Sequence, residues 1–337
     1  MPYVSIILPF HNAIHYLAQA VNSILADKKF DGELLLIDDG STDTSSTVAD
    51  QSSVHDPRIR VLRCGRQGLV NALNLGLEEA SAPLVARMDA DDIAHPDRIA
   101  HQCAFLARHP EVHLVSCLVR PFGESITQGT MRYISWVNES IDHESIIRDL
   151  YVESPLPHPS VMYRKDAILS LGGYRDYDGP EDYDLWLRMA SAGCRFAKVP
   201  EILLDWRIHN DSYSRKDRRY RRQAFYRRKS MYAAERLGSE ELAVGKRLRI
   251  WGAGTNGRRL ASYLNSRGHL VEAFVDVDPR LIGATRLKTP VFSPTIIGKG
   301  DNDHHYLCMV GNWGARDKIR QVFRAKGKVE GVDFTIL

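Results

Sequence analysis

The 337-residue chain lacks the features that mark membrane-spanning and disulfide-built proteins. It has no run of about 18 apolar residues, so the sequence predicts no transmembrane helix. Residues 1–10 contain no basic stretch followed by an apolar core, so we expect no secretory signal and a cytoplasmic location. The five cysteines are scattered without a Cys-x-x-Cys pair, which argues against a zinc ribbon and a disulfide framework and predicts reduced packing thiols.

A large excess of charge is also missing, since 45 basic residues face 42 acidic ones. Residues 215–229 are the exception, because they hold nine Lys or Arg and a single Asp. The rest of the chain is therefore slightly acidic, which excludes a general nucleic-acid binder. The basic segment predicts either a solvated linker helix, whose Arg stems pack on the flanking domains, or a contact with anionic lipid phosphates at the inner face of a membrane.

What the sequence does contain is a regular alternation of buried strands and helices over its first 92 residues. Continuous apolar runs at residues 4–8, 33–37 and 84–88 are typical of strands that are buried on both faces. Apolar residues at helical spacing lie between them. This order indicates right-handed strand–helix–strand units, and hence an α/β fold with a doubly wound sheet.

Polar residues cluster where three of these strands end. Ligands of such sheets bind beyond the carboxyl ends of the strands, so these residues predict one crevice. They are Pro9, Phe10 and Asn12 after the first strand, Asp38 and Asp39 after the second, and Asp89, Asp91 and Asp92 after the fourth.

The acidic clusters allow two interpretations each. Crowded carboxylates such as Asp89, Asp91 and Asp92 repel one another unless a cation neutralises them, and Mg²⁺ favours such oxygen ligands together with substrate phosphates. The alternative is that Asp92 caps a helix, and that Asp38 and Asp39 form a turn before a capped helix.

The later half contains a second acidic pair, Glu181 and Asp182, at the start of a predicted helix. A carboxylate there suits general-base chemistry, but acids at helix starts are also favoured by the helix dipole. His158 and His209 each lie near the end of a predicted strand or loop, where a ligand contact or a structural role is possible.

Five motifs taken together resemble the inverting family 2 glycosyltransferases of the GT-A fold. The motifs lie at residues 4–12, 36–43, 86–92, 158–188 and 206–209. The resemblance covers about residues 3–212 and implies a nucleotide-diphospho-sugar transferase domain over residues 1–214. It implies transfer of a sugar from a nucleotide-diphosphate sugar, namely a UDP-sugar, to a hydroxyl of a glycan or lipid-linked acceptor. The transfer would invert the anomeric carbon and would use Mg²⁺ or Mn²⁺ as cofactor.

The resemblance also implies a role for each matching residue. Asp182 would be the catalytic base. The nucleotide-sugar would contact Pro9, Phe10, Asn12, Asp38, Asp39, Arg87 and Asp89. The metal would be held by Asp91, Asp89 and His209, and the acceptor by His158, Glu181 and Trp186.

A second α/β pattern follows a basic helical linker at residues 215–245. In residues 246–337 a strand leads into Gly252, Gly254 and Gly257, and Asp276 follows the next strand, as in Rossmann-like domains. This pattern predicts either a nucleotide site, such as one for NAD, or a structural or regulatory domain. It leaves two alternatives for the whole chain, an NAD-dependent oxidoreductase and a non-catalytic sugar-nucleotide sensor.

Overall fold

The computed structural model describes residues 3–27, 30–238, 246–298, 302–310 and 313–337. Contacts divide the chain into two compact units, of which the first comprises Met1–Leu150 and Ser154–Tyr220 and the second comprises Tyr151–Glu153 and Arg221–Leu337. The domain limits at residues 214 and 246 and the separate linker stay predictions. Residues 239–245 of that linker lie outside the described residues.

The first unit contains eight strands within the described ranges. They are β1 (Val4–Phe10), β2 (Gly32–Asp38), β3 (Ile59–Arg63), β4 (Leu84–Arg87), β5 (Ile93–Ala94), β6 (Val112–Phe122), β7 (Met162–Arg164) and β8 (Arg195–Arg207). The helices are α1 (Leu17–Leu25), α2 (Ser45–His55), α3 (Leu69–Glu79), α4 (Arg98–Arg108), α5 (Gln128–Glu139), α6 (His143–Leu150), α7 (Lys165–Leu169), α8 (Glu181–Ser191) and α9 (Tyr213–Lys216). Two 3₁₀ turns span His158–Ser160 and Arg218–Tyr220.

These strands form one mixed sheet in the order β3-β2-β1-β4-β7-β6-β8-β5. The first four are parallel, as their continuous apolar runs predicted, and every residue of β1 is buried. Strand β7 then runs antiparallel to both β4 and β6, while β8 runs parallel to β6 and carries the short β5 on its other edge. The predicted α/β class is confirmed, and the sheet is mixed rather than wholly parallel.

The register brings the polar strand ends together. Phe10 is paired with Asp38 at the ends of β1 and β2, and the Asp39 amide donates to the Phe10 carbonyl at 2.9 Å. The Met88 amide donates to the Ile7 carbonyl at 3.0 Å, which places the end of β4 at the same edge. The predicted crevice edge is therefore formed by neighbouring strands.

The second unit has its own sheet, in the order β11-β12-β10-β9-β13-β14. Its strands are β9 (Arg247–Trp251), β10 (Val271–Val275), β11 (Thr285–Arg286), β12 (Thr289–Phe292), β13 (His304–Cys308) and β14 (Phe334–Ile336). Its helices are α10 (Arg222–Gly238), α11 (Thr255–Ser266) and α12 (Trp313–Ala325), with a 3₁₀ turn at Pro294–Ile296. All pairs are parallel except that of β11 with β12, so a second α/β sheet is present where one was predicted.

The basic segment does not form the continuous helix that its lack of Gly and Pro predicted. Helix α9 ends at Lys216, and Asp217 then accepts a hydrogen bond from the Arg219 amide at 2.8 Å. This side chain offers the backbone an alternative to helical bonding, so a turn forms before α10 begins. Acidic neighbours also offset part of its charge, since Lys216 pairs with Asp211 at 2.7 Å and Arg219 with Asp217 at 3.0 Å.

None of the helices in the described ranges is long and apolar enough to cross a membrane. All five cysteines are free thiols, and three of them are buried, as the scattered spacing predicted.

Candidate active site

The three aspartates that follow β4 form a compact oxygen cluster. One carboxylate oxygen from each of Asp89, Asp91 and Asp92 lies within 4.8 Å of the others. Asp92 is buried, with Oδ1 accepting from the Arg207 amide at 2.7 Å, while its Oδ2 is also buried and accepts no hydrogen bond from the described residues. A buried carboxylate oxygen without a donor is costly, and a cation ligand would satisfy it.

Two buried arginines lie beside this cluster. Arg87, which is 2% exposed, forms an ion pair with Asp89. Arg98 is also buried and donates to the Arg87 carbonyl at 2.7 Å. Sequence reasoning missed Arg98, because an arginine in the first turn of an amphipathic helix gives no signal that it is buried.

Ionising all three carboxylates together is costly despite these arginines. Burial raises the pKa of Asp92 well above its ordinary value, and the charges of Asp91 and Asp89 raise it further. Burial also raises the pKa of Asp89, although the Arg87 charge opposes this shift. Clustered oxygen donors with raised pKa values fit a hard divalent cation such as Mg²⁺ or Mn²⁺.

His209 joins the cluster from the end of β8. Its Nε2 lies 2.8 Å from Asp91 Oδ2, and Arg207 Nε donates to the Asp91 carbonyl at 2.6 Å. The Arg207 guanidinium lies 4.6 Å from the Tyr16 ring and 4.3 Å from the Phe122 ring. The pairing of β5 with β8 thus explains how residues more than 100 positions apart meet at one point.

The helix-cap interpretation of Asp92 is wrong. Asp92 is followed by β5, and the next helix, α4, begins at Arg98 with Asp97 as its N-cap residue. The strand forms because Ile93 and Ala94 pair with Asp205 and Leu204 of β8, a long-range contact that local sequence does not reveal.

Hydrogen bonds within and between neighbouring loops form the predicted nucleotide edge. Asp39 is buried and its Oδ1 accepts from the amides of Gln67 and Gly68, both at 2.8 Å. Asp38 is buried too, and accepts from the Ser41 amide at 2.8 Å and from the Ser46 hydroxyl. Asp38 therefore forms the turn of the alternative interpretation, while contacts of either residue with a base stay predictions.

Asn12 ties β1 to the same loop. Its backbone has φ of 50°, a left-handed conformation that Asn tolerates better than most residues, and its Oδ1 accepts from the Thr42 amide at 2.8 Å. Pro9 and Phe10 are buried in β1 just before it. Contacts of these three residues with a nucleotide stay predictions.

Glu181 and Asp182 begin α8 with different surroundings. Glu181 is 3% exposed, with Oε2 accepting from the Tyr220 hydroxyl at 2.5 Å and Oε1 lying 3.6 Å from His158 Nδ1. Asp182 is only partly buried, and its Oδ1 accepts from the amide of Tyr183 at 2.7 Å. Of the two carboxylates, Asp182 is therefore the one that a substrate can reach.

Burial raises the pKa of Asp182 to about 8, and the charge of Glu181 acts in the same direction. The Arg87 charge opposes this rise, just as it opposes the rise at Asp89. A single buried guanidinium thus acts on both acidic groups, while their membership of one site stays a prediction. A carboxylate with a pKa near the working pH suits a general base.

The remaining predicted acceptor residues are enclosed. His158 is buried, and its ring centre lies 5.9 Å from that of Trp186, which is fully buried. Their contact with an acceptor stays a prediction. Tyr174, which belongs to the motif range 158–188 but was given no role there, and Tyr220, which no local signal marks, complete this region.

The glycine motif of the second unit lies in the loop between β9 and α11. Gly252 and Gly254 are in that loop, Gly257 is in the first turn of α11, and Asp276 directly follows β10. Asp276 Oδ2 accepts from the Ala253 amide at 2.7 Å. Nucleotide binding there, and the Rossmann-like assignment, stay predictions.

Comparison with known proteins decides the family. The family model for glycosyl transferase family 2 matches residues 5–172. The amylovoran biosynthesis glycosyltransferase AmsE of Erwinia amylovora is 33% identical over 185 residues, which are 55% of this chain and 67% of that protein. The chain belongs to glycosyl transferase family 2. The matched region holds the aspartate cluster and the loops of the predicted nucleotide edge, but α8 and the second unit lie outside it.

Two further relatives extend the comparison. The UDP-Gal:alpha-D-GlcNAc-diphosphoundecaprenol beta-1,3-galactosyltransferase of Escherichia coli is 30% identical over 207 residues, covering 60% of this chain and 72% of that enzyme. The crystal structure of S. aureus TarS 1-349 in complex with UDP-GlcNAc superposes with a TM-score of 0.56 at 17% identity, over 80% of this chain and 74% of that one. The first unit therefore has the GT-A fold that the motifs implied.

Proposed function

We propose that this chain transfers a sugar from a UDP-sugar to a hydroxyl of a glycan or lipid-linked acceptor, with inversion at the anomeric carbon. The observation that carries the proposal is the compact aspartate cluster after β4, held by the buried Arg87, in a chain whose α8 begins with the reachable carboxylate of Asp182. A relative that uses UDP-Gal and a diphosphoundecaprenol-linked sugar, and a similar fold that binds UDP-GlcNAc, support the donor and acceptor classes.

On the donor side, the crevice at the ends of β1, β2 and β4 would receive the nucleotide. Asp39 holds the Gln67–Gly68 backbone in place, and Asn12 holds the loop at Thr42. These three bonds fix the walls before a ligand arrives, which lowers the ordering cost of binding. Asp38, Phe10 and Pro9 would border the base and ribose from the strand ends.

The diphosphate would lie next to the aspartate cluster. Asp91 and Asp89, with His209, would hold Mg²⁺ or Mn²⁺, and the ion when bound would neutralise charge on the leaving diphosphate. Arg87 holds Asp89 in place through its ion pair. Arg207 fixes Asp91 and Asp92 through the bonds described above, so the cluster is pre-organised.

On the acceptor side, Asp182 would take the proton from the attacking hydroxyl. The hydroxyl oxygen then bonds to the anomeric carbon while the bond from that carbon to the diphosphate oxygen breaks, and the electron pair leaves with the diphosphate. A single displacement of this kind inverts the anomeric centre, as in inverting glycosidases. Neither the oxidoreductase nor the non-catalytic sensor is favoured by a contact of the described residues.

The test is a binding experiment on the full chain. UDP, GDP and a panel of their sugars are titrated by calorimetry, with Mn²⁺ or Mg²⁺ and with EDTA, and UDP release is then measured for each sugar. We expect UDP-sugars to bind with metal and to release UDP. Binding at 100 times the dissociation constant also stabilises the fold by roughly 2.7 kcal/mol, which a thermal shift detects.

The matched variants are Asp91→Ala and Asp166→Ala. Asp91 lies in the cluster, whereas Asp166 is an exposed acid in the first turn of α7. We expect Asp91→Ala to lose metal-dependent UDP binding and Asp166→Ala to keep it. Equal affinity with and without metal in the wild-type protein would contradict the metal assignment, and absence of any nucleotide binding would contradict the function.

A further inference from the structure

The carboxylate of Glu181 is enclosed by two side chains, those of Tyr220 and His158. Oε2 accepts from the Tyr220 hydroxyl at 2.5 Å, and Oε1 lies 3.6 Å from His158 Nδ1. With 3% of the residue exposed, Glu181 has no free face for a sugar hydroxyl. Its charge nevertheless acts directly on the neighbouring Asp182.

A chain of aromatic groups fixes the His158 side of this arrangement. His158 Nε2 lies 2.9 Å from the Tyr174 hydroxyl, which in turn lies 3.3 Å from the hydroxyl of Tyr163. Burial lowers the pKa of His158, so the imidazole is neutral and carries one proton. If the Tyr174 hydroxyl donates to Nε2, that proton is on Nδ1, where it faces Glu181.

The Tyr220 side comes from a different part of the chain. Tyr220 is the last residue of the first unit, in the 3₁₀ turn Arg218–Tyr220, and lies 39 residues after Glu181. The turn is held by Asp217, whose carbonyl accepts from the Tyr220 amide at 3.2 Å and whose side chain binds Arg219. The turn that breaks the basic helix thus delivers the hydroxyl to the site.

We propose that Tyr220 is a positioning residue of this active site, whose hydroxyl, with His158, holds Glu181 as a buried carboxylate and leaves Asp182 as the proton acceptor. The inference rests on the proposed function for the role of Asp182, and it adds a residue outside the matched family region. It also assigns a purpose to the interruption of the basic segment, which the sequence did not predict.

The proposal has a consequence for proton binding by the pair. The groups that act on it from the surrounding elements are Arg87, His158, Tyr174 and Tyr220, with Asp89 acting on His158. Without the Tyr220 hydroxyl, ionised Glu181 loses a donor and binds a proton more readily. The pKa of Glu181, which lies below its ordinary value, therefore rises, but Glu181 stays ionised where Asp182 titrates. The pKa of Asp182 falls only when the Glu181 charge itself is removed.

The experiment compares Tyr220→Phe with Tyr133→Phe in the full chain. Tyr133 also donates its hydroxyl to a partner in the first unit, the Ser154 carbonyl at 2.9 Å, but does not contact the Glu181 carboxylate in the described structure. Two readouts are used, the pH dependence of UDP release and a ¹³C NMR titration of Asp side-chain carboxyls, with the Asp182 signal identified by its loss in Asp182→Asn.

We expect Tyr220→Phe to raise the pKa of Glu181 by about one unit, because a hydrogen bond to the carboxylate is lost, with the KM for the donor unchanged, and Tyr133→Phe to leave it in place. The Glu carboxyls are titrated in the same experiment, with the Glu181 signal identified by its loss in Glu181→Gln. Glu181→Gln removes the charge itself and must lower the pKa of Asp182, so it serves as a second variant if Tyr220→Phe folds poorly. An unchanged Glu181 pKa in Tyr220→Phe, an unchanged Asp182 pKa in Glu181→Gln, or an equal Glu181 shift in Tyr133→Phe overturns the inference. Because the NMR titration needs no substrate, it remains decisive if the wild-type protein releases no UDP, an outcome that refutes only the proposed function.

Discussion

Replacing Asp182 with Asn tests the proposed chemistry most directly. The substitution keeps the shape of the side chain and removes its basicity, and Asp182 is the accessible carboxylate of the pair. Proton removal by a positioned base contributes about 10²–10⁴-fold to a rate, so the transfer rate should fall by that factor at a pH where Asp182 is fully ionised. Donor affinity should stay nearly unchanged, because Asp182 lies on the acceptor side.

The structure adds a pH dependence to this loss. With a pKa of about 8, only about a tenth of Asp182 is ionised at pH 7 and about nine tenths at pH 9. The wild-type rate should therefore rise about tenfold across this interval, while the Asp182→Asn rate, which has no base to ionise, should not. The ratio of the two rates consequently grows about tenfold from pH 7 to pH 9.

The assay is UDP release, followed where an acceptor is found by NMR coupling at the new glycosidic carbon. Asp166→Asn is the control, since it makes the same change in the first turn of α7. An Asp182→Asn protein with wild-type turnover at pH 9, or a ratio that does not change with pH, would refute the assignment of the base. A product with retained anomeric configuration would refute the single displacement.

Three further predictions concern other parts of the chain. Gly254→Val should leave UDP release unchanged, since a Cβ at Gly254 meets no atom within 4 Å and the motifs of the proposed chemistry lie before residue 212. A folded variant without UDP release would show that the second unit takes part in the chemistry. If residues 215–229 bind lipid phosphates, the protein should sediment with anionic but not with neutral liposomes at low salt, and equal sedimentation would leave the linker interpretation. Lys198 is buried with its pKa lowered to about 7, so between pH 7 and 9 the unfolded state binds more protons than the folded one. The free energy of unfolding of the wild-type protein relative to Lys198→Met should therefore rise by about 2 kcal/mol over that interval. A difference between the two proteins that stays constant with pH in denaturant melts would contradict this.

The sequence was sufficient for the parts of the fold that depend on local pattern. The continuous apolar runs predicted β1, β2 and β4, and the Asp residues at their ends were placed at one edge because parallel strands carry their carboxyl ends together. The aspartate cluster could be predicted for the same reason. Its position follows from the strand that precedes it and needs no knowledge of distant contacts.

What the sequence did not reveal depends on pairing over long distances. The length of β8 follows from its register with β6 and β5, which brings Arg207 to the cluster and places His209, which the resemblance had implied, against Asp91. Arg98 looks like an ordinary helix residue until its burial under Arg87 is known. Tyr220 belongs to a stretch whose composition predicted a helix, and only the Asp217 turn places its hydroxyl against Glu181.

The glycine motif of the second unit shows how a functional pattern can have a structural cause. Gly252 has φ of 113°, and a Cβ there would lie 2.6 Å from the Met309 carbonyl oxygen, while a Cβ at Gly257 would lie 1.7 Å from the Gly252 carbonyl oxygen. Asp276 accepts hydrogen bonds from the Ala253 and Asp278 amides, so it holds the loop even without a ribose. Packing therefore accounts for three residues of the motif and not for Gly254, whose φ of −70° and open surroundings would admit a side chain. The nucleotide interpretation of the second unit consequently depends on Gly254, the one glycine of the motif that packing does not require.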